Sequence, residues 1–278
     1  MKDSGGRPAD AAAGERSGIQ SVEVGFALLE ALGRASGPLM LRDLAASAGM
    51  SAAKAHRYLV SFQRLRLVTQ DAATTRYDLG PAALTLGLAA LSRLDPVKLA
   101  RDRAPRLVEA LGHTVALAVW GNHGPTIVHW EEAPQAIAVH LRLGDVMPLL
   151  TSATGRCFAA WMPAERVEPL LRAQRAARAV PEAAGLPRTL ADARPMLQEV
   201  RARGLGRVVD TLLPGIAGFC APVFDADGRL ALGIVSLGPT GSFNSNWDGP
   251  VATTLRAAAH ALSRDLGAPE PAFADGAG

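Results

Sequence analysis

The sequence predicts an α+β chain with a winged helix-turn-helix at its N-terminal end and a separate domain of sheet and helices behind it. Three observations carry this. Residues 19–80 read as three helices and then two short strands, with a tight glycine turn between the second and third helix. A stretch that is apolar nearly all round, "PAALTLGLAALSRL", follows at 81–94. From Thr114 helical spacing gives way to β-favouring runs separated by turn sequences, with helices between them, the pattern of an antiparallel sheet flanked by helices. The boundaries expected are a disordered tail over 1–18, the winged module over 19–80, a linker helix over 81–95 and the second domain over 96–268.

In residues 19–34, Val22, Phe26, Leu29 and Leu32 recur at three- and four-residue steps, with Ser21 placed to cap the helix. Gly37 and Pro38 break it. Leu41, Leu44, Ala45 and Ala48 share one face of a second, short helix that Gly49 ends. Ser51 caps a third helix running to about Arg66. Its apolar face is Ala55, Leu59 and Phe62, and its other side carries Ala53, Lys54, Arg57, Ser61 and Arg64. "LRLVTQDAATTRYDLG" then reads as two strands around an Asp-Ala-Ala-Thr-Thr turn.

The helix at 81–94 spreads Leu84, Leu86, Leu88, Leu91 and Leu94 over several faces, so it requires burial on more than one side. A second copy of itself supplies that burial most simply. Pro96 starts an amphipathic helix, and "TVALAVWG" and "PTIVHWEE" form a hairpin across an Asn-His-Gly turn. "TSATGRCFAAWM" reads as a capped helix. Further helices reach about residue 178 and occupy 189–204 despite Pro195. "GRVVD", "GFCAPVFDAD" and "LALGIVSLG" are strands, with an Asp-Ala-Asp-Gly turn between the last two, and a helix over roughly 247–266 closes the domain.

The net charge of +3 and a pI near 9.2 permit nucleic-acid binding without requiring it. The two cysteines, Cys157 and Cys220, form no C-x-x-C pair, which argues against a zinc site or a redox dithiol and for a reducing, cytoplasmic setting. The first residues lack the apolar core of a signal peptide, and no apolar run is long enough to span a membrane.

The histidines do not fall at zinc-enzyme spacings; His123 and His129 lie across a hairpin. Cys157 sits one turn into a helix, and a catalytic role for it would need His129 or His140 as its base. Gly204-Leu205-Gly206 is too short for a dinucleotide loop and follows a helix rather than a strand. No catalytic residue, metal ligand or cofactor is therefore expected. The alternative is a small-molecule enzyme using Cys157 or a histidine, with the N-terminal module serving protein interaction. The third helix has a more coherent use. In a helix-turn-helix its N-terminal half enters the major groove, so Ala52 and Ala53 let it sit deep while Lys54 and Arg57 meet base edges or phosphates.

These residues also carry a resemblance. "SVEVGFALLEAL", "LRDLAASAGMSAAKAHRYLVSF", "YDLGPAALTLG", "MPLLTSATGRCFAA" and "APVFDADGRLALGIVSLGP" resemble, in order and spacing, the landmarks of the IclR family of bacterial transcription regulators over residues 21–266. The resemblance implies a winged helix-turn-helix that binds a double-stranded DNA operator, a dimerising linker helix and a GAF-like C-terminal domain that binds a small effector. It also implies a homodimer or homotetramer. It puts Ser51, Ala52, Ala53, Lys54, His56, Arg57 and Arg76 at the DNA. Ala52 and Ala53 replace the polar residues usual before His-Arg, so base preferences do not carry over. The implied effector pocket comprises Ala153, Thr154, Gly155, Asp210, Ile216, Gly218, Cys220, Val235 and Leu237, with the Thr154–Gly155 amides receiving a carboxylate. Val235 and Leu237 stand where serines accompany small carboxylates, which points to an aromatic or branched-chain acid.

Overall fold

The structure, a computed structural model, describes residues 18–134, 141–176 and 187–269 and divides into two compact units, 1–93 and 94–278. The tail proposed for 1–18 falls almost wholly outside the described residues, as does His140.

The first unit contains α1 (Gln20–Arg34), α2 (Leu41–Ser47), α3 (Ala52–Arg64), the antiparallel pair β1 (Val68–Gln70) and β2 (Tyr77–Leu79), and α4 (Pro81–Leu91). Its core is Leu28, Leu32, Leu44, Ala55, Leu59, Val68 and Tyr77. Gly49, at φ +65°, makes the left-handed turn that separates α2 from α3. The periodicity placed Val22 and Phe26 on the buried face of α1, and the structure turns them outward, at 64% and 55% exposure. The cause is a close crossing. Gly25 faces α3, where a Cβ would stand 2.9 Å from the Tyr58 ring, so α1 buries Gly25, Leu28, Ala31 and Leu32 instead. Ser21 does not cap this helix. Ile19 holds that position, with no side-chain hydrogen bond.

On α4, Leu84, Leu86 and Leu88 are all more than half exposed in the single chain. Among the described residues, nothing within the first unit covers them.

The second unit contains α5 (Pro96–Leu111), β3 (Thr114–Gly121), β4 (Gly124–Glu131), α6 (Ala153–Trp161), α7 (Ala164–Ala176), α8 (Leu190–Arg203), β5 (Gly206–Val209), β6 (Ile216–Phe224), β7 (Leu230–Pro239) and α9 (Pro250–Asp265). The strands form one antiparallel sheet in the order β4-β3-β7-β6-β5. Leu117, Phe219, Ala221 and Ile234 pack on one face with Ala104 and Val108 of α5 and Leu255 and Leu262 of α9. Ala116, Cys220, Val235 and Leu237 pack on the other with Cys157 and Phe158 of α6. Both faces are covered, so β6 and β7 read as continuous apolar runs rather than alternating ones.

Candidate functional site

The outward side of α3 is the first candidate. Ser51 Oγ accepts the Lys54 N–H at 3.4 Å, capping the helix, and Ala55 and Leu59 seat it in the core. Ser51, Ala52, Ala53, Lys54, His56 and Arg57 are all exposed. Neither Lys54 nor Arg57 forms an ion pair among the described residues, so both cations are available to an anion. Two glutamines tie this helix to the wing: Gln63 Nε2 donates to Gln70 Oε1 at 3.4 Å, and Gln70 Nε2 to the Thr75 carbonyl at 2.9 Å. At the wing turn Asp71 accepts the Thr74 N–H and hydroxyl and the Ala73 N–H. These bonds, the Thr74 amide first, hold its carboxyl below the usual range. Arg76 is exposed, but its guanidinium donates to the Pro38 carbonyl at 3.1 Å, so part of its donor set serves the fold.

The second candidate is a pocket on the α6 face of the sheet. Of the residues singled out in the sequence, the structure brings six to its wall: Ala153, Thr154, Ile216, Gly218, Val235 and Leu237. Three are not there. Gly155 packs against the backbone of Pro148 and Leu149, and its N–H is already committed to Ser152 Oγ at 2.8 Å. Asp210 turns into its own loop at φ +52°, where its Oδ1 accepts the Gly215 N–H at 2.7 Å. Cys220 is fully buried beside Cys157, behind the wall.

Sequence reasoning missed the rest of the wall: Ala116, Ile127, Trp130, Leu141, Met147, Val208, Leu212 and Leu213 among others. A signal for two of them stood in the loop "DTLLPGIAG", where an adjacent leucine pair has no reason to be apolar unless it covers something. Trp130 and Ile127 come from β4, where a register shift between Leu117 and Ala118 of its partner strand disturbs the pairing a sequence pattern would assume.

The wall carries no charged side chain. Its polar groups gather at the start of α6. Ser152 Oγ is committed, donating to the Pro148 carbonyl at 2.7 Å and accepting from Gly155. Thr154 Oγ1 makes no hydrogen bond among the described residues, and the Ala153 and Thr154 amides are first-turn donors without a carbonyl partner there. The free volume is about 40 Å³. A cavity that admits benzene has roughly 150 Å³, so a ring-sized ligand has to widen this one.

The catalytic alternative finds little geometry. Burial, then the neighbouring Cys220, pushes the Cys157 thiol well above its ordinary pKa, the reverse of an activated nucleophile. His129 lies beside Glu131, Nε2 to Oε2 at 3.3 Å, placed for an ion pair when protonated but not aligned for a hydrogen bond. No group of three or more potential metal ligands converges among the described residues.

Comparison with known proteins places the chain among bacterial transcriptional regulators. The family model of the IclR helix-turn-helix domain matches residues 21–72, and that of the bacterial transcriptional regulator IclR C-terminal domain matches residues 88–264. The chain is 35% identical over 261 residues to the glycerol operon regulatory protein of Streptomyces griseus, covering 90% of this chain and 97% of that one. It is 28% identical over 239 residues to the transcriptional regulator BhcR of Paracoccus denitrificans, covering 84% of each. Among solved structures, Pseudomonas aeruginosa HmgR superposes with a TM-score of 0.82 at 39% identity, over 91% of this chain and 100% of that one. The Agobacterium tumefaciens repressor BlcR, at 21% identity, shares the fold with a TM-score of 0.74 over 91% and 99%.

Proposed function

We infer from this chain, which belongs to the IclR family of bacterial transcriptional regulators, how its DNA-binding and effector-binding domains do their work. The family assignment establishes a transcriptional regulator with a helix-turn-helix and a C-terminal effector domain; the residues and the ligand class are our reading. α3 docks in the major groove of a duplex operator, with Ser51, Ala52, Ala53, Lys54, His56 and Arg57 at the interface and Arg76 beside it on the wing. The chain acts as a homodimer, or a dimer of dimers, in the cytoplasm. No helix of the described residues is long and apolar enough to cross a membrane. The chain catalyses no reaction; the raised Cys157 thiol supports that reading.

The effector is a small organic acid with an aromatic or branched apolar body. One observation carries this: a wholly uncharged wall whose free donors all lie at the first turn of α6. An ionised group set deep among Trp130, Met147, Val235 and Leu237 would be strongly penalised. At the helix start, the Ala153 and Thr154 amides and the Thr154 hydroxyl meet a carboxylate with the positive end of the helix dipole behind them. The apolar body then points toward Val235 and Leu237.

A thermal-shift screen of aromatic and branched-chain carboxylates tests the ligand class. At 100-fold excess over Kd a ligand of the native state adds about 2.7 kcal/mol, which for a chain of this size raises Tm by roughly 5–10 °C. The rise should be lost in Val235→Trp, which fills the pocket. Stabilisation by polar, non-acid compounds alone would sink the proposal.

A further inference from the structure

The outward side of α3 has an order that the docking alone does not explain. With Ala55 marking the buried side, a rotation of about 100° per residue puts positions 53, 57, 60 and 64 within about 40° of the opposite direction. In this chain those are Ala53, Arg57, Val60 and Arg64, of which Ala53, Arg57 and Arg64 are exposed and Val60 is half-buried. Lys54 and Ser61 flank the row on one side, and Ala52 and His56 on the other.

The first turn of the helix, the part that penetrates a groove furthest, therefore presents a bare methyl group. Ser51 stands before that turn as its cap, its hydroxyl oxygen accepting the Lys54 N–H. A methyl reads no hydrogen-bonding edge. Only one mark in the major groove is apolar, the C5-methyl of thymine. A cytosine at that place would leave a methyl-sized gap against Ala53 and forfeit the dispersion contact.

We infer that Ala53 is a specificity-determining residue that selects a thymine through its C5-methyl, with Arg57 on a neighbouring base edge one turn along. The inference rests on the docking of α3 proposed above.

The experiment uses the full chain and a duplex selected from a random-sequence pool. Each dT of the selected site is replaced singly by dU, which deletes the methyl and leaves the hydrogen-bonding edge unchanged, and Kd is measured at one salt concentration. One dU in each half-site is expected to weaken wild-type binding about 3- to 5-fold, the worth of one buried methyl. In Ala53→Gly the same dU should cost nothing further, the signature of a direct pair in a double-mutant cycle. Ala53→Ser, which lowers helix propensity less than glycine does and replaces a hydrogen of the methyl with a hydroxyl, repeats the cycle without the backbone freedom of glycine. If no dU weakens the wild type while Arg57→Ala still does, the docking stands and the thymine assignment is overturned. A dU penalty that persists unchanged in both Ala53 variants also overturns it. If Arg57→Ala binds the selected duplex as tightly as wild type, the docking fails, and the assignment fails with it.

Discussion

A Cβ added at Gly155 would stand 1.9 Å from the Pro148 carbonyl oxygen and 2.6 Å from the Leu149 Cα, both backbone atoms with nowhere to swing. On the other side of α6, a Cβ at Gly206 would meet the Ala153 carbonyl at 2.2 Å and the Cys157 nitrogen at 2.9 Å. The helix is thus clasped between a loop and β5 by two absent side chains. Gly155→Ala is expected to cost about 3 kcal/mol of stability or more in chemical denaturation, at the upper end of overpacking effects. A near-neutral variant would mean that the loop yields.

His113 carries a second residue-level prediction. Its ring lies on Phe243 at 4.8 Å between centroids, and burial lowers its pKa below 6.5. Burial, followed by Arg256 and Arg264, does the same to His260. In each case the unfolded chain takes up the proton more readily than the folded one. Stability should therefore be full above about pH 6.5, the unfolded histidine value, and fall as pH drops below it. The lowered carboxyls of Asp71 and Asp192 titrate below 3.8, outside that window. Urea midpoints at pH 7.5 and 5.5 measure the fall, and His113→Gln should shrink it.

At the scale of elements, the loop between β5 and β6 supplies part of the pocket wall. Leu212 and Leu213 cover the cavity from a segment whose turn is closed by Asp210 Oδ1 on the Gly215 N–H, with positive φ at both Asp210 and Gly215. The Asp210 N–H also donates to the Ile216 carbonyl at 3.0 Å and the Ile216 N–H to the Leu213 carbonyl at 3.2 Å, and the Thr240 N–H reaches in to the Gly215 carbonyl at 2.9 Å. Asp210→Ala removes the closing bond and leaves a strained non-glycine φ with no side chain to support it. Amide exchange across residues 211–216 should then quicken by an order of magnitude or more, about the worth of one charge-assisted hydrogen bond, with the central amides of β6 unchanged. Exchange as slow as wild type would show that the leucines, not the carboxylate, hold the loop down. The family resemblance had placed Asp210 in the pocket; its carboxylate instead closes the loop that carries Leu212 and Leu213.

At the scale of the molecule, the exposed leucines of α4 matter most. Leu88 is 56% exposed in the single chain, so a charge there leaves the fold of the monomer undisturbed. If α4 pairs with a second copy, Leu88→Glu buries an unpaired carboxylate in the seam, and the dimer Kd should rise by at least about 30-fold. Sedimentation would show monomer, and operator affinity would fall because two half-sites need two linked helices. An intact dimer would move the seam elsewhere, the outward Val22 and Phe26 of α1 with Ile19 at its cap being the next candidate. How much of all this the sequence made legible follows a physical line. Caps, glycine stops and turn residues act locally, and so Ser51, Gly49 and the strand-turn-strand of the wing could be read from neighbours in the chain. The rotation of α1 and the true task of Gly155 depend on what approaches from elsewhere: Tyr58 in one case and the Pro148–Leu149 backbone in the other. Local pattern does not carry that information. Six wall residues were reached through the family resemblance, with strand alternation in support, whereas Trp130 and Leu141 reach the pocket through an irregular hairpin and the segment after it.

The half-buried Arg156 side chain donates from Nε to the Leu150 carbonyl at 2.9 Å and from its terminal nitrogen to the Arg207 carbonyl at 2.7 Å. It bolts the first turns of α6 to the loop before it and to β5, where the two clasping glycines already hold it. One wall of the cavity is therefore an anvil. Whatever volume a ligand adds to those 40 Å³ would then be taken from the walls that α6 does not form: Leu212, Leu213 and the start of β6 on one side, Trp130, Leu141 and Met147 on another. A ligand in such a site would leave α6 in place and register its size in how far the remaining walls move.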